Sequence, residues 1–261
     1  MHNRRTFLIQ SIRGLLAASA ASSMLLDHTV AHAMGEEDAL ELGWLRLDKS
    51  EPLTRKTSLR RILQEVEKRT SIKVNAENNR VLLGKDIFDY PMLFLSGSGD
   101  FDPWSDEQID LLRTWLQGGG VLVVDSSEGL DDGPFLRAAR RELARIYPDK
   151  KPQKIPKNHV IYKSFYLIKN NPRGRLAPEV GMQGYFEQDR VPVILSSFDM
   201  MGAWSRDGFG QWEYEVEGGE IQREYAIRLG VNLVMYALCV NYKEDQVHIP
   251  FILKRRNWKV E

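Results

Sequence analysis

Residues 90–127 read "YPMLFLSGSGDFDPWSDEQIDLLRTWLQGGGVLVVDSS", and the order of patterns within them decides the fold. Met92–Leu95 is an unbroken apolar run bounded by Pro91 and by Gly97 and Gly99, which suits a strand buried on both faces. Ser105 and Gln108 then form an S-x-x-Q capping box. Ile109, Leu112, Trp115 and Leu116 fall on one helical stripe, and Gly118 offers a left-handed C-cap. A second apolar run, Val121–Val124, enters the polar turn Asp125-Ser126-Ser127. Strand, helix and strand joined by short links predict parallel pairing with the crossover helix laid on one face of the sheet.

The flanks extend this pattern. "LELGWLRL" (40–47) reads as a short strand. "TSLRRILQEVEKRT" (57–70) carries Leu59, Ile62, Leu63 and Val66 at helical spacing, with Thr57 or Ser58 as its cap. "SIKVNAE" (71–77) alternates as a half-buried strand does. Downstream, 133–148 is a helix stopped by Pro148, 148–158 a charged surface loop, and 181–199 two strands joined at 187–190. Residues 223–242 form a helix that is apolar almost all round and hence buried, with Cys239 as a small hydrophobe inside it. No repeat or low-complexity segment interrupts the chain, so residues 34–261 are expected to form one α/β domain with a mostly parallel sheet.

Composition narrows the function. The 261 residues contain 36 Lys+Arg and 36 Asp+Glu, so no net field draws the chain to nucleic acid. One cysteine permits no intrachain disulfide. Residues 1–33 read as an export leader: Arg4-Arg5 before Phe7-Leu8, an apolar stretch over 14–26 too short to span a bilayer, and an Ala31-His32-Ala33 cleavage pattern. The paired arginines resemble a twin-arginine signal, which implies release of a folded product into the periplasm after cleavage at Ala33, with no transmembrane segment in the mature chain.

Eight pieces recur together in order: "GWLRL", "YPMLFLSGSG", "LLRTWLQGGGVLVVDSS", "FLRAARREL", "KNHVIYKSFY", "GYFEQDRVPVILSSFDMMGAW", "LGVNLVMYAL" and "DQVHIPFILKRR". The set resembles the bacterial DUF4159 family over most of residues 40–256. That family is similar to class I glutamine amidotransferases, and the resemblance implies a flavodoxin-like three-layer sandwich. It implies no particular reaction. Amidotransferase chemistry needs a cysteine thiolate on a strand-to-helix elbow. Here the turn after Val124 holds Asp125, Ser126 and Ser127, and Cys239 sits in a helical run, so glutamine hydrolysis by that route is not expected.

Ligands of open parallel sheets gather at the carboxyl ends of the strands. The candidate binding groups there are Gly97, Ser98 and Gly99 in the first turn and Ser126 in the second. Asp125, His159 and Asp199 are candidate catalytic or metal-binding groups, two carboxylates and an imidazole being suited to acid–base work. Each also has a bland reading, the acids as turn caps and the histidine as a loop residue bonded to backbone. "GSGDF" lacks the lysine of a P-loop and the spacing of a dinucleotide fingerprint. Residues 198–214 concentrate aromatics, with Trp204 and Trp212 positioned either to bind a sugar or a protein partner or to pack the loop on itself. Two expectations follow. One is a non-catalytic envelope module, needing no cofactor or metal, that binds a protein partner or a small ligand such as a carbohydrate. The alternative is a glycan-directed envelope hydrolase that uses Asp125 or Asp199 with His159.

Overall fold

The computed structural model of the chain describes residues 39–47, 55–77, 79–169 and 173–256; the leader read from residues 1–33 lies outside them. Seven strands form one sheet: β1 (Gly43–Arg46), β2 (Asn79–Leu82), β3 (Met92–Gly97), β4 (Val121–Ser126), β5 (Gln153–Lys154), β6 (Gln183–Glu187) and β7 (Arg190–Ser196). Their order is β2-β1-β3-β4-β7-β6-β5. The first five run parallel, while β6 and β5 are antiparallel additions at one edge. Helices α1 (Ser58–Arg69), α2 (Asp106–Gln117), α3 (Pro134–Ile146), α4 (Met200–Trp204) and α5 (Gly219–Arg256) cover the faces. Counting parallel strands alone, this is the flavodoxin-like order, which reverses between β1 and β3.

Strand alternation assigns the layers. Met92, Phe94, Val121, Val123 and Ile194 share a core with Leu59, Ile62 and Leu63 of α1 and with buried residues of α4 and α5. Their alternates Leu93, Leu95, Leu122, Val124, Val193 and Leu195 meet Ile109, Leu112 and Trp115 of α2 and Phe135, Leu136 and Leu143 of α3. The unbroken apolar runs 92–95 of β3 and 121–124 of β4 are therefore a requirement of two covered faces.

Local chemistry departs from the sequence reading at identifiable points. The capping box is present, with Ser105 Oγ accepting from Gln108 N–H at 3.2 Å and Gln108 Oε1 accepting from Ser105 N–H at 2.9 Å. The left-handed residue after α2 is Gly119 (φ 100°), one position past Gly118. Neither Thr57 nor Ser58 caps α1 through its side chain. Thr57 Oγ1 donates to the Arg206 carbonyl at 2.8 Å, and the Ser58 hydroxyl donates to the Met201 carbonyl at 2.6 Å. Residues 71–77 make a single bridge, Val74 to Leu40, and the edge strand is instead Asn79–Leu82. The 148–158 loop contributes the two-residue β5. Helix α5 is longer than the apolar run that announced it, and Cys239 lies exposed beyond its buried stretch.

Asn232 is fully buried on α5 and ties the 161–168 loop to the sandwich. Its Oδ1 accepts the N–H groups of Phe165 (3.2 Å) and Tyr166 (2.7 Å), and its Nδ2 donates to the carbonyls of Ile161 (3.0 Å) and Tyr166 (2.9 Å). Asn232→Leu keeps the branched shape and orphans these groups. It is expected to cost about 3 kcal/mol in denaturant-unfolding free energy; a loss under about 1 kcal/mol would show that the loop's polar groups find other partners.

Candidate functional site at the strand carboxyl ends

The pleat that separates the two cores also separates the polar groups where the strands end. Asp125 pairs in register with Ser96 of β3 and Ser196 of β7, all on the α1–α4–α5 side. Ser126 pairs with Gly97 on the α2–α3 side. Two distinct clusters result, one beneath each face.

The first cluster is built on Asp199, which is fully buried and takes a left-handed conformation (φ 51°) tolerated by Asp. Its N–H donates to the Ser126 carbonyl at 3.1 Å, and its Oδ1 caps α4 by accepting from Gly202 N–H at 3.0 Å. Arg55 grips the same carboxylate with two parallel bonds, Nε to Oδ1 at 2.7 Å and Nη2 to Oδ2 at 2.9 Å. Arg175 Nε binds Oδ2 as well. The backbone of 174–176 lies directly on 198–200, with the N–H groups of Arg175 and Leu176 donating to the Asp199 and Phe198 carbonyls. A Cβ on Gly174 would stand 2.4 Å from the Phe198 oxygen, so only glycine fits. Tyr214 lies between the two guanidiniums, 4.9 Å from Arg55 and 5.4 Å from Arg175.

Asp125 completes this cluster. It is fully buried; Oδ2 accepts the Met201 N–H at 2.9 Å, and Oδ1 has no hydrogen-bond partner. Burial, then the neighbouring Asp199 charge, pushes its carboxyl up to about 7. Asp125 and Asp199 are therefore neighbours, Asp199 gripped by two guanidiniums and Asp125 a buried carboxyl whose ionisation is shifted upward.

His159 is not part of this cluster. It caps a 3₁₀ turn (Val160–Tyr162), with Nδ1 accepting from Ile161 N–H at 3.3 Å, and its ring packs edge-on to Phe186 and Tyr236. Tyr236 in turn accepts a hydrogen bond from Val191, at the amino end of β7, whereas Asp199 follows the carboxyl end. The length of that strand, roughly 20 Å, separates the imidazole from the carboxylates. Burial lowers the His159 pKa. Among the described residues no three His, Cys, Asp or Glu side chains could hold a metal ion.

The second cluster closes the glycine turn. Glu128 Oε1 accepts the Gly99 N–H at 2.8 Å, while Oε2 accepts the Ser126 hydroxyl at 3.1 Å and the Phe135 N–H at the start of α3 at 3.2 Å. A carboxylate of the chain thus satisfies the polar groups of the glycine turn from within. Gly97 is required by packing, since a Cβ there would lie 2.7 Å from the Phe135 ring. Of the four residues expected to contact a ligand, Ser126 is buried, Gly97 abuts Phe135, Gly99 is engaged by Glu128, and Ser98 alone is exposed.

The aromatic segment also reads differently in three dimensions. Trp204 is a core residue, fully buried, with Nε1 donating to the Ala226 carbonyl at 3.0 Å and its ring edge-on to Phe94, so it reaches no ligand. Trp212 is half-buried, with Arg206 at 4.1 Å and Arg223 at 4.2 Å from its ring centre and Arg61 at 5.7 Å. Guanidiniums already occupy the ring against which a sugar was expected to stack. Arg55, Arg175, Glu128 and Arg206 shape the site without being candidates from sequence; Arg55 carries no local signal, because its partner Asp199 lies 144 residues away.

A seven-stranded, mostly parallel sheet covered on both faces, whose strand-end turns carry buried acids, defines an α/β domain of flavodoxin-like architecture. The sequence profile described as "Domain of unknown function (DUF4159)" matches residues 42–238, and the chain belongs to that family. No curated protein matches the chain.

The pH dependence of Asp125 follows from its geometry. An ordinary aspartate has a pKa of about 3.9. A folded-state value raised to about 7 means that its contribution to stability is full below the ordinary value and is lost as pH rises toward 7. Asp125→Asn retains an oxygen for the Met201 N–H and cannot ionise. The melting temperature of the variant minus that of the wild type should grow from pH 5 to pH 8, and a constant difference would remove the titration from Asp125.

Proposed function

We propose that this chain is an exported, non-catalytic module of the bacterial envelope that binds a polypeptide partner through the surface above the strand carboxyl ends. One observation carries the reading: the polar groups gathered there are consumed by the chain itself. Asp199 is held by Arg55, Arg175 and Gly202 N–H, Asp125 is sealed beneath α4, and Glu128 fills the glycine turn. A shallow groove of about 580 Å³ runs beside α3, lined by Asp131, Arg140, Lys150, Gln183 and Tyr185 among others, and includes none of these groups. The hydrolase alternative needs an imidazole beside the acids, and His159 stands at the other end of β7. A carbohydrate ligand would need a free aromatic face at Trp204 or Trp212. Export rests on the leader pattern of residues 1–33, and no helix among the described residues is long and apolar enough to cross a membrane.

Protein recovered from the envelope fraction of an expressing bacterium should begin at Met34 on N-terminal sequencing; an intact leader removes export from the reading. The purified mature chain should release no ammonia from glutamine and no sugar from a panel of glycosides above the buffer rate. Turnover that vanishes in Asp125→Asn or Asp199→Asn would establish catalysis.

A further inference from the structure

Residues 206–212 form a tight, self-bonded turn. Arg206 and Trp212 are bridged antiparallel, and Asp207 N–H donates to the Gln211 carbonyl at 2.9 Å. Asp207 Oδ1 turns inward to accept both the Phe209 and Gln211 N–H groups, each at 2.9 Å. Gly210 takes a positive φ of 79°, its N–H donates to the Asp207 carbonyl, and its own carbonyl accepts from Arg206 Nη1 at 2.7 Å. Thr57 anchors the base of the turn to α1, its hydroxyl accepting from Arg206 N–H at 2.7 Å and donating to the Arg206 carbonyl. Phe209 projects from this frame 92% exposed. The isolated fold forgoes the gain from burying this ring, and the rigidity of the turn means that little loop entropy remains to be lost on binding.

Guanidiniums stand over Trp212 at the base of this turn. Arg206 stacks on Trp212 and has no carboxylate partner among the described residues, and its Nε is buried without an acceptor. Arg61 lies over the same ring, also with an orphaned Nε, and its one carboxylate partner among the described residues, Glu65, is shared with Arg69. Burial lowers the Arg61 pKa and Glu65 opposes this, while the nearby Arg206 and Arg69 charges push it down further. An exposed aromatic on a rigid turn beside two guanidiniums in mutual repulsion has the composition of an interface anchor, since aromatic residues and arginine dominate binding energy.

Resting on the reading above, we infer that the 206–212 turn is the anchor of that interface and that its occupant is an acidic–apolar polypeptide segment, which receives Phe209 in an apolar pocket and sets a carboxylate against the Arg61–Arg206 pair. An anionic bilayer offers the same charge. A single aromatic side chain and two cations make a weak membrane anchor, because stable attachment requires several such contributions.

A phage-displayed library of random 12-residue peptides panned on the mature chain tests this. Recovered sequences should be enriched in Asp or Glu next to Leu, Ile, Val or Met. A synthetic peptide of the recovered consensus should bind about tenfold more weakly to Phe209→Ala and to Arg206→Gln, and as tightly as wild type to Arg137→Gln, a change at an exposed arginine of α3. Its affinity should fall with added salt. Phe209 is solvent-surrounded, so its truncation leaves the fold intact and a null effect there cannot be blamed on misfolding. Peptides without acidic enrichment, or equal binding by Phe209→Ala, would overturn the inference. So would sedimentation of the wild type, but not Phe209→Ala, with vesicles of phosphatidylglycerol in phosphatidylcholine. Any of these outcomes leaves the absence of turnover and the Met34 terminus standing, so failure of the anchor is distinguishable from failure of the wider reading.

Discussion

A carboxylate cannot be taken out of water without a counter-charge, and in this protein that rule organises the top of the sheet. Asp199 is wholly buried and survives as an anion because Arg55 meets it with a two-pronged contact and Arg175 adds a third donor. The three residues come from segments distant along the chain, so satisfying one charge fixes the approach to α1, the 174–176 crossing and the start of α4 together. Such an arrangement contributes little net stability compared with apolar packing of equal volume, yet removal of either partner type leaves a buried charge uncompensated. Its effect is to specify one arrangement of the loops.

The same arrangement explains why the usual ligand position of this architecture is closed. In open parallel sheets the turn after a strand presents backbone N–H groups and short polar side chains to an incoming molecule. Here Glu128 satisfies the glycine turn from within, and α4 sits on Asp125. Two buried acids at adjoining strand ends would ordinarily suggest acid–base work, but one is caged by arginines and the other has no route to solvent. Exposed aromatic surface and guanidiniums coincide instead on the loop that follows α4.

The sequence reported the scaffold well. Long apolar runs at 92–95 and 121–124, the Ser105–Gln108 box and the 187–190 connection each have a local cause, and each appears where the local cause places it. It reported the short edge elements poorly. Asn79–Leu82 has little apolar signal and becomes a strand because β1 offers it a parallel partner. At the site, the placement of Asp125 near the end of β4 and of Asp199 after β7 was legible, because both lie at the carboxyl ends of parallel strands. The position of His159 was not, since nothing in "NHVIY" indicates that the preceding loop crosses to the amino end of β7. Trp204 misled for a related reason: beside the glycines and polar residues of its segment it looked like a loop aromatic, and the five-residue α4 turned it inward.

The antiparallel appendage has a consequence for how this molecule lives among copies of itself. A parallel sheet left open beyond β7 would expose a seven-residue ribbon of unpaired amides and carbonyls, the geometry that seeds fibrous stacking. The chain instead folds β6 back along it and ends the series with two residues, Gln153 and Lys154, one of them cationic and both facing water. So brief a terminus offers a neighbouring molecule almost no hydrogen-bonding track to extend, and the lysine repels an identical strand.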